Sequence, residues 1–333
     1  MTEKDNLPQA GRRGEDVWYL TLTDPDSGTG FWVRLTRPGA ARDAHASVAF
    51  CAFDPTEPGR TFGLRATGSA ATPDAAERDP EAFEARGPGA VFRSGHSSGA
   101  LASGGHMAEW ALDWATGEPT VRPVSPALSR AGGGRTTLTL PNPSTTTTGR
   151  VVIDGRTFDI RDAAAQQGHL CGTEPAQRWA WAHCGDFRGD RGALLALTAQ
   201  VRRGPFLTPY ITSIAVAHRG RWIRFRKISP MRDFGLGTWR IDVASRTHRL
   251  TGRIEAPTHA LIRMPLRDRR GGVRHCHNSE IASSRVVLFE RRPGGFQQVA
   301  LLESRGTTHA EWAGRTPAGA VPRVVADAEA MPA

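Results

Sequence analysis

Short runs of alternating apolar and polar residues, separated by turn-forming residues, dominate this chain and predict β-strands almost throughout. Residues 17–23 and 30–36 flank a linker rich in Asp, Pro and Gly, which predicts a hairpin. Asp154 and Gly155 separate two further runs, and an Asp-Gly pair in that position is a strong hairpin signal. No helical period longer than about three turns is present, so the sequence favours an all-β fold over alternating strands and helices.

Further strands are expected at near-regular spacing along the chain. They are residues 46–53, 109–115, 179–184, 193–202, 212–218, 222–228, 238–243, 249–255, 260–265 and 285–290. Short strands with turn signals between them are typical of antiparallel sandwiches and barrels.

The chain length favours two domains over one, because 333 residues exceed the size at which single cores stop growing. Residues 141–149 combine two prolines with a polar run and are the best candidate boundary. We therefore expect a flexible N-terminus at 1–15 and β domains at 16–142 and 143–292. A C-terminal extension at 293–333 should be weakly ordered at its end.

The net charge of +10 belongs to the second half of the chain, where residues 151–333 hold 28 basic and 16 acidic side chains. Such an excess of basic residues is typical of proteins that bind nucleic acid or an anionic membrane surface. Residues 221–226, however, alternate Arg with apolar side chains, which is the pattern of a half-buried strand with a basic outer face. No nucleic-acid-binding motif accompanies it, so we predict no nucleic-acid partner, and peripheral membrane contact stays open.

The chain lacks the marks of a secreted or membrane-spanning protein. No run approaches 18 apolar residues, and the N-terminal residues lack the apolar core of a secretory signal. Four cysteines in 333 residues do not suggest a disulfide framework. We expect a cytoplasmic protein with reduced thiols.

Two motifs match known chemistry only partly. Residues 95–99 fit the Gly-x-Ser-x-Gly pattern of serine hydrolases, but glycines follow where the required helix should begin, so a polar loop is the better interpretation. His and Cys residues cluster at 169–171, 183–184 and 275–277 without the spacing of a zinc site. We predict no metal and no cofactor.

One segment combines aromatic and titratable residues. In a strand, Trp179, Trp181 and His183 share one face, and small residues occupy the other. A barrel interior lined in this way would hold a flat or elongated apolar ligand. A tryptophan-rich core with a hydrogen-bonded histidine is the alternative, and the two interpretations weigh about equally.

These residues also carry a resemblance to a known family. Residues 168–174 are similar to a Gly-His-Asn-Trp-Gly-x-Glu block, with Leu170 and Cys171 in place of the Asn and Trp. The Trp-x-Trp-x-His run at 179–183, the Asn-Ser-Glu block at 278–280 and the entry at 141–155 add to it. The chain thus resembles the lipocalin-related (calycin) family of tocopherol cyclase-like proteins and acyclic carotenoid hydratases, which are hydroxyneurosporene synthase-like.

The resemblance implies two lipocalin-like antiparallel β-barrel or sandwich domains in tandem, with a ligand site in or between them. It also implies an apolar isoprenoid or polyketide-like ligand and acid-assisted cyclisation or alkene hydration. Such chemistry needs an acid that burial keeps protonated. The candidate catalytic residues are Glu174, Glu280, His183 and Asp186, and Asp233 is a further candidate acid. The candidate ligand-binding residues are His169, Trp179, Trp181, Trp239, His277 and Asn278.

Two other functions remain open at this point. A non-catalytic carrier of a lipid or pigment would need the same cavity but no acid. A basic surface-binding module would use the charged second half and would bind in a strongly salt-dependent way. The sequence does not decide between them, and it leaves the oligomeric state undetermined.

Overall fold

The structure is a computed structural model, and almost all of its regular structure is β-strand. It describes residues 3–8, 14–39, 45–69, 83–124, 136–187, 193–267, 272–315, 321, 324–325 and 328–331. Within these ranges the only helices are 3₁₀ turns at Glu3–Asn6, Pro58–Arg60 and Thr258–Ala260. The expected all-β fold is therefore confirmed. No helix in the described ranges is long and apolar enough to cross a membrane.

The first sheet is built mainly by the N-terminal half of the chain. Its main strands are β1 (Glu15–Thr23), β2 (Gly30–Pro38), β3 (His45–Phe53), β4 (Phe62–Ser69), β5 (Glu84–Gly87), β6 (Ala90–Arg93), β7 (His96–Ser103), β8 (His106–Trp114), β9 (Thr136–Ile153) and β10 (Arg156–Gly172). They pair antiparallel in the order β4-β3-β2-β1-β10-β9-β8-β7-β6-β5. The predicted hairpin β1–β2 and the Asp-Gly hairpin β9–β10 are both present.

The second sheet is also antiparallel. Its strands are β11 (Arg178–Cys184), β12 (Leu194–Gln200), β15 (Tyr210–His218), β16 (Arg221–Ser229), β17 (Phe234–Gly235), β18 (Thr238–Ala244), β19 (His248–Glu255), β20 (Ile262–Arg267), β21 (Val273–Arg292) and β22 (Gly295–Gly314). Their order is β16-β15-β12-β11-β22-β21-β19-β18-β17, with β20 also on β21.

Four short strands complete the fold. A small hairpin of β13 (Arg202–Arg203) and β14 (Phe206–Leu207) lies between β12 and β15. The C-terminal strands β23 (Val324–Val325) and β24 (Glu329–Ala330) pair with β4 and β7 of the first sheet.

Each sheet curls around a core of its own, because one face of every main strand is apolar. In β1, Trp18, Leu20 and Leu22 are fully buried in the first core. In β11, Ala180 and Ala182 lie in the second core. Alternation along the strands therefore sends the intervening residues outward. Two lipocalin-like antiparallel units in tandem are the expected architecture, and the structure has them.

A third apolar cluster lies between the two sheets. Tyr19, Trp32 and Phe53 contribute from the first sheet, and Trp181 and Ile281 from the second. The Tyr19 and Trp181 rings meet edge to face with their centroids 6.1 Å apart. The outward faces of both sheets are thus buried where the sheets meet.

The chain crosses from the first sheet to the second later in the sequence than the boundary predicted at residues 141–149. Residue 142 lies within β9 of the first sheet, and the chain enters the second sheet only at Arg178. Residues 295–314 form β22, which pairs with both β11 and β21 at the centre of the second sheet, rather than an extension. The turn before this strand is at Pro293 and Gly294, a strong turn signal, but the residues after it were interpreted as an extension. The predicted division of the chain into two domains at residues 141–149 stays a prediction.

The N-terminal residues that the structure describes are packed. Asn6 is buried, and its carbonyl oxygen accepts a 2.8 Å hydrogen bond from Trp18 Nε1. His169 Nδ1 lies 2.7 Å from the Asp5 carbonyl oxygen. Asp5 and Asn6 therefore pack against Trp18 and His169 of the first sheet, where the sequence predicted a flexible segment.

Gly30 sits where the sheets touch, so adding a methyl group there should destabilise the protein. A Cβ at this position would lie 2.6 Å from Glu280 Cβ and 2.9 Å from the Glu280 carbonyl oxygen. We expect Gly30→Ala to lower the free energy of unfolding by about 1–3 kcal/mol, as overpacking does. Gly59→Ala is the matched control, because nothing lies within 4 Å of its added Cβ. Urea unfolding of both variants is the measurement, and equal midpoints would contradict the close approach.

Candidate functional site

A β-bulge in β21 places Glu280 between the sheets. The pairing of β21 with β22 shifts register between Ser279 and Ala282, so Glu280 and Ile281 together oppose the single residue His309. Bulges re-aim side chains and are common beside active sites. Glu280 is 1% exposed. The bulge therefore brings a carboxyl group into the apolar cluster between the sheets.

His309 lies at the centre of a buried polar group around this carboxyl. Thr21 Oγ1 is 2.8 Å from its Nδ1, and Thr23 Oγ1 is 3.2 Å from its Nε2. His183 Nδ1 is 3.2 Å from His309 Nδ1, and Glu280 Oε2 is 3.9 Å from the same atom. We call these five residues, with Glu311, the inter-sheet site.

The hydrogen bonds assign the tautomer of His309. Thr23 has one hydroxyl proton and donates it to the Glu280 carbonyl oxygen at 3.0 Å. Its oxygen therefore accepts from His309 Nε2, which carries the ring proton. Nδ1 then carries no proton. It accepts a hydrogen bond from the Thr21 hydroxyl, and Glu280 Oε2 lies 3.9 Å from it. A base and a carboxyl group consequently face each other.

Burial keeps these groups uncharged. Desolvation, with the charge of Glu311 as a smaller cause, raises the pKa of Glu280 well above its ordinary value. Burial lowers the pKa of His183 to about 3. Burial and then the neighbouring His183 lower the pKa of His309 well below its ordinary value. Burial therefore favours a protonated acid beside a neutral imidazole.

Glu311 is the second carboxyl group and lies nearer to solvent. Burial raises its pKa, while the Trp179 hydrogen bond and the charge of Arg34 lower it. Trp179 Nε1 donates to Glu311 Oε2 at 3.1 Å. Glu311, Trp179 and Arg34 are all only partly buried. They mark the open end of the inter-sheet site, and His183, with 0% exposure, marks the closed end.

Three buried side chains at or beside the site have polar atoms without a hydrogen-bond partner among the described residues. They include Glu280 Oε2 and both side-chain polar atoms of Gln166, and His183 Nε2 is a third such group within the site. Gln166 pairs across the strands with Thr21, so it shares the outward face that carries the His309 contact. An unsatisfied buried polar atom costs about 1–3 kcal/mol. Such atoms are therefore the expected partners of a ligand's polar group or of water.

The aromatic face predicted from the sequence exists, but it lies elsewhere. Trp179, Trp181 and His183 do share a face of β11. That face lines the contact between the sheets, and the Ala180 and Ala182 face lines the interior of the second sheet. The expectation of a barrel interior was wrong for these residues, because β11 turns its small residues, Ala180 and Ala182, toward that core and its large ones toward the other sheet.

Other predicted ligand-binding residues lie in three places. Asn278 is buried on β21 and accepts a 2.9 Å hydrogen bond from Cys276 Sγ. His169 stacks on Trp18 in the first sheet, away from the inter-sheet site, and its Nε2 contacts Asp16 at 3.0 Å.

Two more of the predicted ligand-binding residues lie in the second sheet. Trp239 is 1% exposed within the second core. His277 Nδ1 lies 3.1 Å from the Trp312 carbonyl oxygen, and burial lowers its pKa. Both side chains face the second core, whereas Asn278 lies on the opposite face of β21.

Three predicted acids lie outside the inter-sheet site. Glu174 is partly buried in the connection between the sheets and accepts a 3.4 Å hydrogen bond from Gln177. Asp186 is exposed beyond the end of β11. Asp233 forms a 3.9 Å ion pair with Lys227 on the far side of the second sheet.

His309 and Glu311 were missed because residues 293–333 were interpreted as an extension. A signal was present. His309 and Glu311 alternate with the apolar Ala310 and Trp312, which is the pattern of a strand with one polar and one buried face. The bulge at Glu280 had no comparable signal, because register shifts depend on the partner strand.

The two partial motifs found no support in the geometry. Ser97 lies within β7 and donates to the Val91 carbonyl oxygen at 3.1 Å, so it is not an exposed nucleophile on a turn before a helix. All four cysteines are buried as free thiols. Among the described residues, no three His, Cys, Asp or Glu side chains are placed to hold a metal ion.

Comparison with known proteins identifies the family. The sequence model of the tocopherol cyclase-like family matches residues 142–314, slightly more than half of the chain. The chain belongs to this family. The matched segment includes β11, β21 and β22, which carry His183, Glu280, His309 and Glu311. No curated protein sequence matches the chain significantly.

Two solved structures share the fold. Kievitone hydratase from Nectria haematococca aligns with a TM-score of 0.52 and 10% identity, over 92% of this chain and 91% of that chain. A putative AttH protein from Nitrosomonas europaea aligns with a TM-score of 0.50 and 12% identity, over 91% and 93% of the two chains. At these identities the likeness concerns the fold.

The protonated state of Glu280 predicts a specific dependence of stability on pH. Below about pH 4.5 the carboxyl is protonated in both folded and unfolded chains. As the pH rises above 4.5, the unfolded chain ionises first, so stability falls until the pH passes the raised pKa of the folded state. Glu280→Gln removes this loss. In that pH window, we expect the free energy of unfolding of Glu280→Gln to rise relative to that of the wild type by up to about 1.4 kcal/mol per pH unit.

Urea unfolding at about pH 5 and about pH 8 measures this difference. Glu303→Gln is the control, because Glu303 is an exposed carboxylate paired with Arg285 at 2.7 Å. Parallel pH curves for the wild type and Glu280→Gln would show that Glu280 ionises normally.

Proposed function

We propose that this protein binds an apolar isoprenoid or polyketide-like molecule between its two sheets and catalyses acid-assisted cyclisation or hydration of an alkene. The observation that carries the proposal is the Glu280 carboxyl group. It is buried, its pKa is raised by burial, its Oε2 has no hydrogen-bond partner among the described residues, and it is faced by the unprotonated Nδ1 of His309. Membership of the tocopherol cyclase-like family supports the same reaction class.

The reaction begins when Glu280 gives its proton to one alkene carbon. The π electrons form the new C–H bond, and the neighbouring carbon becomes a cation. Trp181 and Tyr19 present aromatic surface in the same cluster and would stabilise the cation. The apolar surroundings also exclude stray water.

The cation is then captured by oxygen. A water molecule in hydration, or an internal hydroxyl in cyclisation, forms the C–O bond and loses its proton to His309 Nδ1. The pKa of His309 is low while Glu280 is neutral, but the Glu280 carboxylate formed in the first step lies 3.9 Å away and stabilises the imidazolium. Return of the proton from His309 to Glu280 completes the cycle. His183 orients His309 through their shared contact.

Glu280 is the acid in this proposal, and the roles predicted for Glu174 and Asp186 remain sequence predictions. Exposure of Asp186 to solvent does not suit an acid that must stay protonated in dry surroundings. Trp179 and Asn278 remain proposed ligand contacts.

The ligand is the first thing to identify. Mass spectrometry of small molecules released from protein freshly purified from its native host should yield an apolar compound with an alkene. Recovery of no apolar compound, in repeated preparations, would count against the proposal.

Glu280→Gln then separates catalysis from carriage. Because a glutamine cannot donate a proton to carbon, turnover of the identified compound should fall by about 100-fold or more. Affinity, measured by quenching of tryptophan fluorescence, should change less than about threefold, since shape is kept. Glu303→Gln should behave as wild type. Bound but unconverted ligand in the wild type would instead establish a carrier, and unchanged turnover in Glu280→Gln would exclude this acid.

A further inference from the structure

Exposed apolar side chains are concentrated at one part of the second sheet. Seven large apolar residues are exposed among the described residues, and five of them fall between positions 206 and 236. They are Phe206 (74% exposed), Leu207 (49%), Ile228 (66%), Met231 (76%) and Leu236 (43%). We call this set the apolar rim. Contiguous exposed apolar surface marks an interaction site.

The strand pairing brings the rim together. Phe206 and Leu207 form β14, which leads directly into β15 at Tyr210. The start of β15 pairs with the end of β16, where Ile228 lies opposite Ile211. The Tyr210 ring meets the Phe234 ring edge to face at 5.8 Å, which places the β17–β18 turn, and Leu236 in it, at the same end.

Basic charge surrounds the rim. Residues 201–236 contain eight Arg or Lys and a single acidic residue, Asp233, which Lys227 neutralises at 3.9 Å. Arg203, Arg226 and Arg232 are exposed. A protruding apolar patch ringed by cations complements an anionic lipid surface, where the side chains enter the acyl boundary and the cations meet the headgroups.

The rim lies at the same end of the second sheet as the open end of the inter-sheet site. The hairpin of β13 and β14 follows Gln200, which pairs with Arg178. The next residue, Trp179, donates to Glu311 at that open end. A surface bound at the rim would therefore lie at the end of the sheet where the inter-sheet site meets solvent.

We propose that the apolar rim and its arginines dock this protein on an anionic lipid bilayer. The inference goes beyond the proposed reaction and does not need it, although a bilayer is also where an apolar substrate would dissolve. Binding is reversible and peripheral, since five side chains and a basic ring anchor less strongly than a spanning segment.

Sedimentation with vesicles tests the docking without any substrate. The full chain is mixed with vesicles of phosphatidylcholine containing about one third phosphatidylglycerol, or with pure phosphatidylcholine. We expect binding to the anionic vesicles, weakening by about tenfold or more on pure phosphatidylcholine or at high salt. Phe206→Ser combined with Met231→Ser should weaken it by about tenfold or more. Arg203→Glu combined with Arg226→Glu should do the same.

Matched controls keep the test specific. Leu301→Ser removes an exposed apolar side chain on β22, and Arg305→Glu reverses an exposed charge, both outside the rim. Neither should change binding, and all variants should unfold at the wild-type urea midpoint.

Three results would overturn the proposal. The first is no binding to either kind of vesicle. The second is vesicle binding that Phe206→Ser combined with Met231→Ser does not weaken. The third is self-association of the protein through the rim without vesicle binding. None of these results bears on the chemistry at Glu280, because vesicle sedimentation uses no substrate.

Discussion

The burial of one carboxyl group between two sheets is the constraint on which the rest of this structure depends. Taking Glu280 out of water favours its protonated form, and an apolar cluster from both sheets excludes the solvent that would ionise it. The same surroundings keep His309 neutral. An acid and a base can therefore face each other 3.9 Å apart without exchanging a proton in the resting state.

The local structure serves this arrangement at several points. A register shift in β21 aims Glu280 at the other sheet, and Gly30 lets that sheet come close enough to enclose it. Thr23 holds the Glu280 carbonyl oxygen and fixes the tautomer of His309 with the same hydroxyl group. Gly168 has a related role, because any Cβ there would overlap the Tyr19 ring that packs on Trp181.

Alternation was enough to predict the fold class, most strands and the shared face of Trp179, Trp181 and His183. The resemblance, rather than alternation, put Glu280 among four candidate catalytic residues before any geometry was known. Alternation could not place that face between the sheets, because a strand pattern does not say which of two buried faces meets a second sheet. His309 and Glu311 were within reach of the same reasoning, whereas the bulge depends on pairing between distant strands and was not.

Infrared spectroscopy tests the central claim most directly, since a neutral carboxylic acid and a carboxylate absorb at separate frequencies. The account predicts that at neutral pH the folded protein shows the carbonyl band of a protonated carboxyl group in dry surroundings. The band should persist above the ordinary pKa of a glutamate and should weaken clearly in Glu280→Gln but not in Glu303→Gln. Absence of the band at neutral pH, or a band that Glu280→Gln leaves unchanged, would contradict the account.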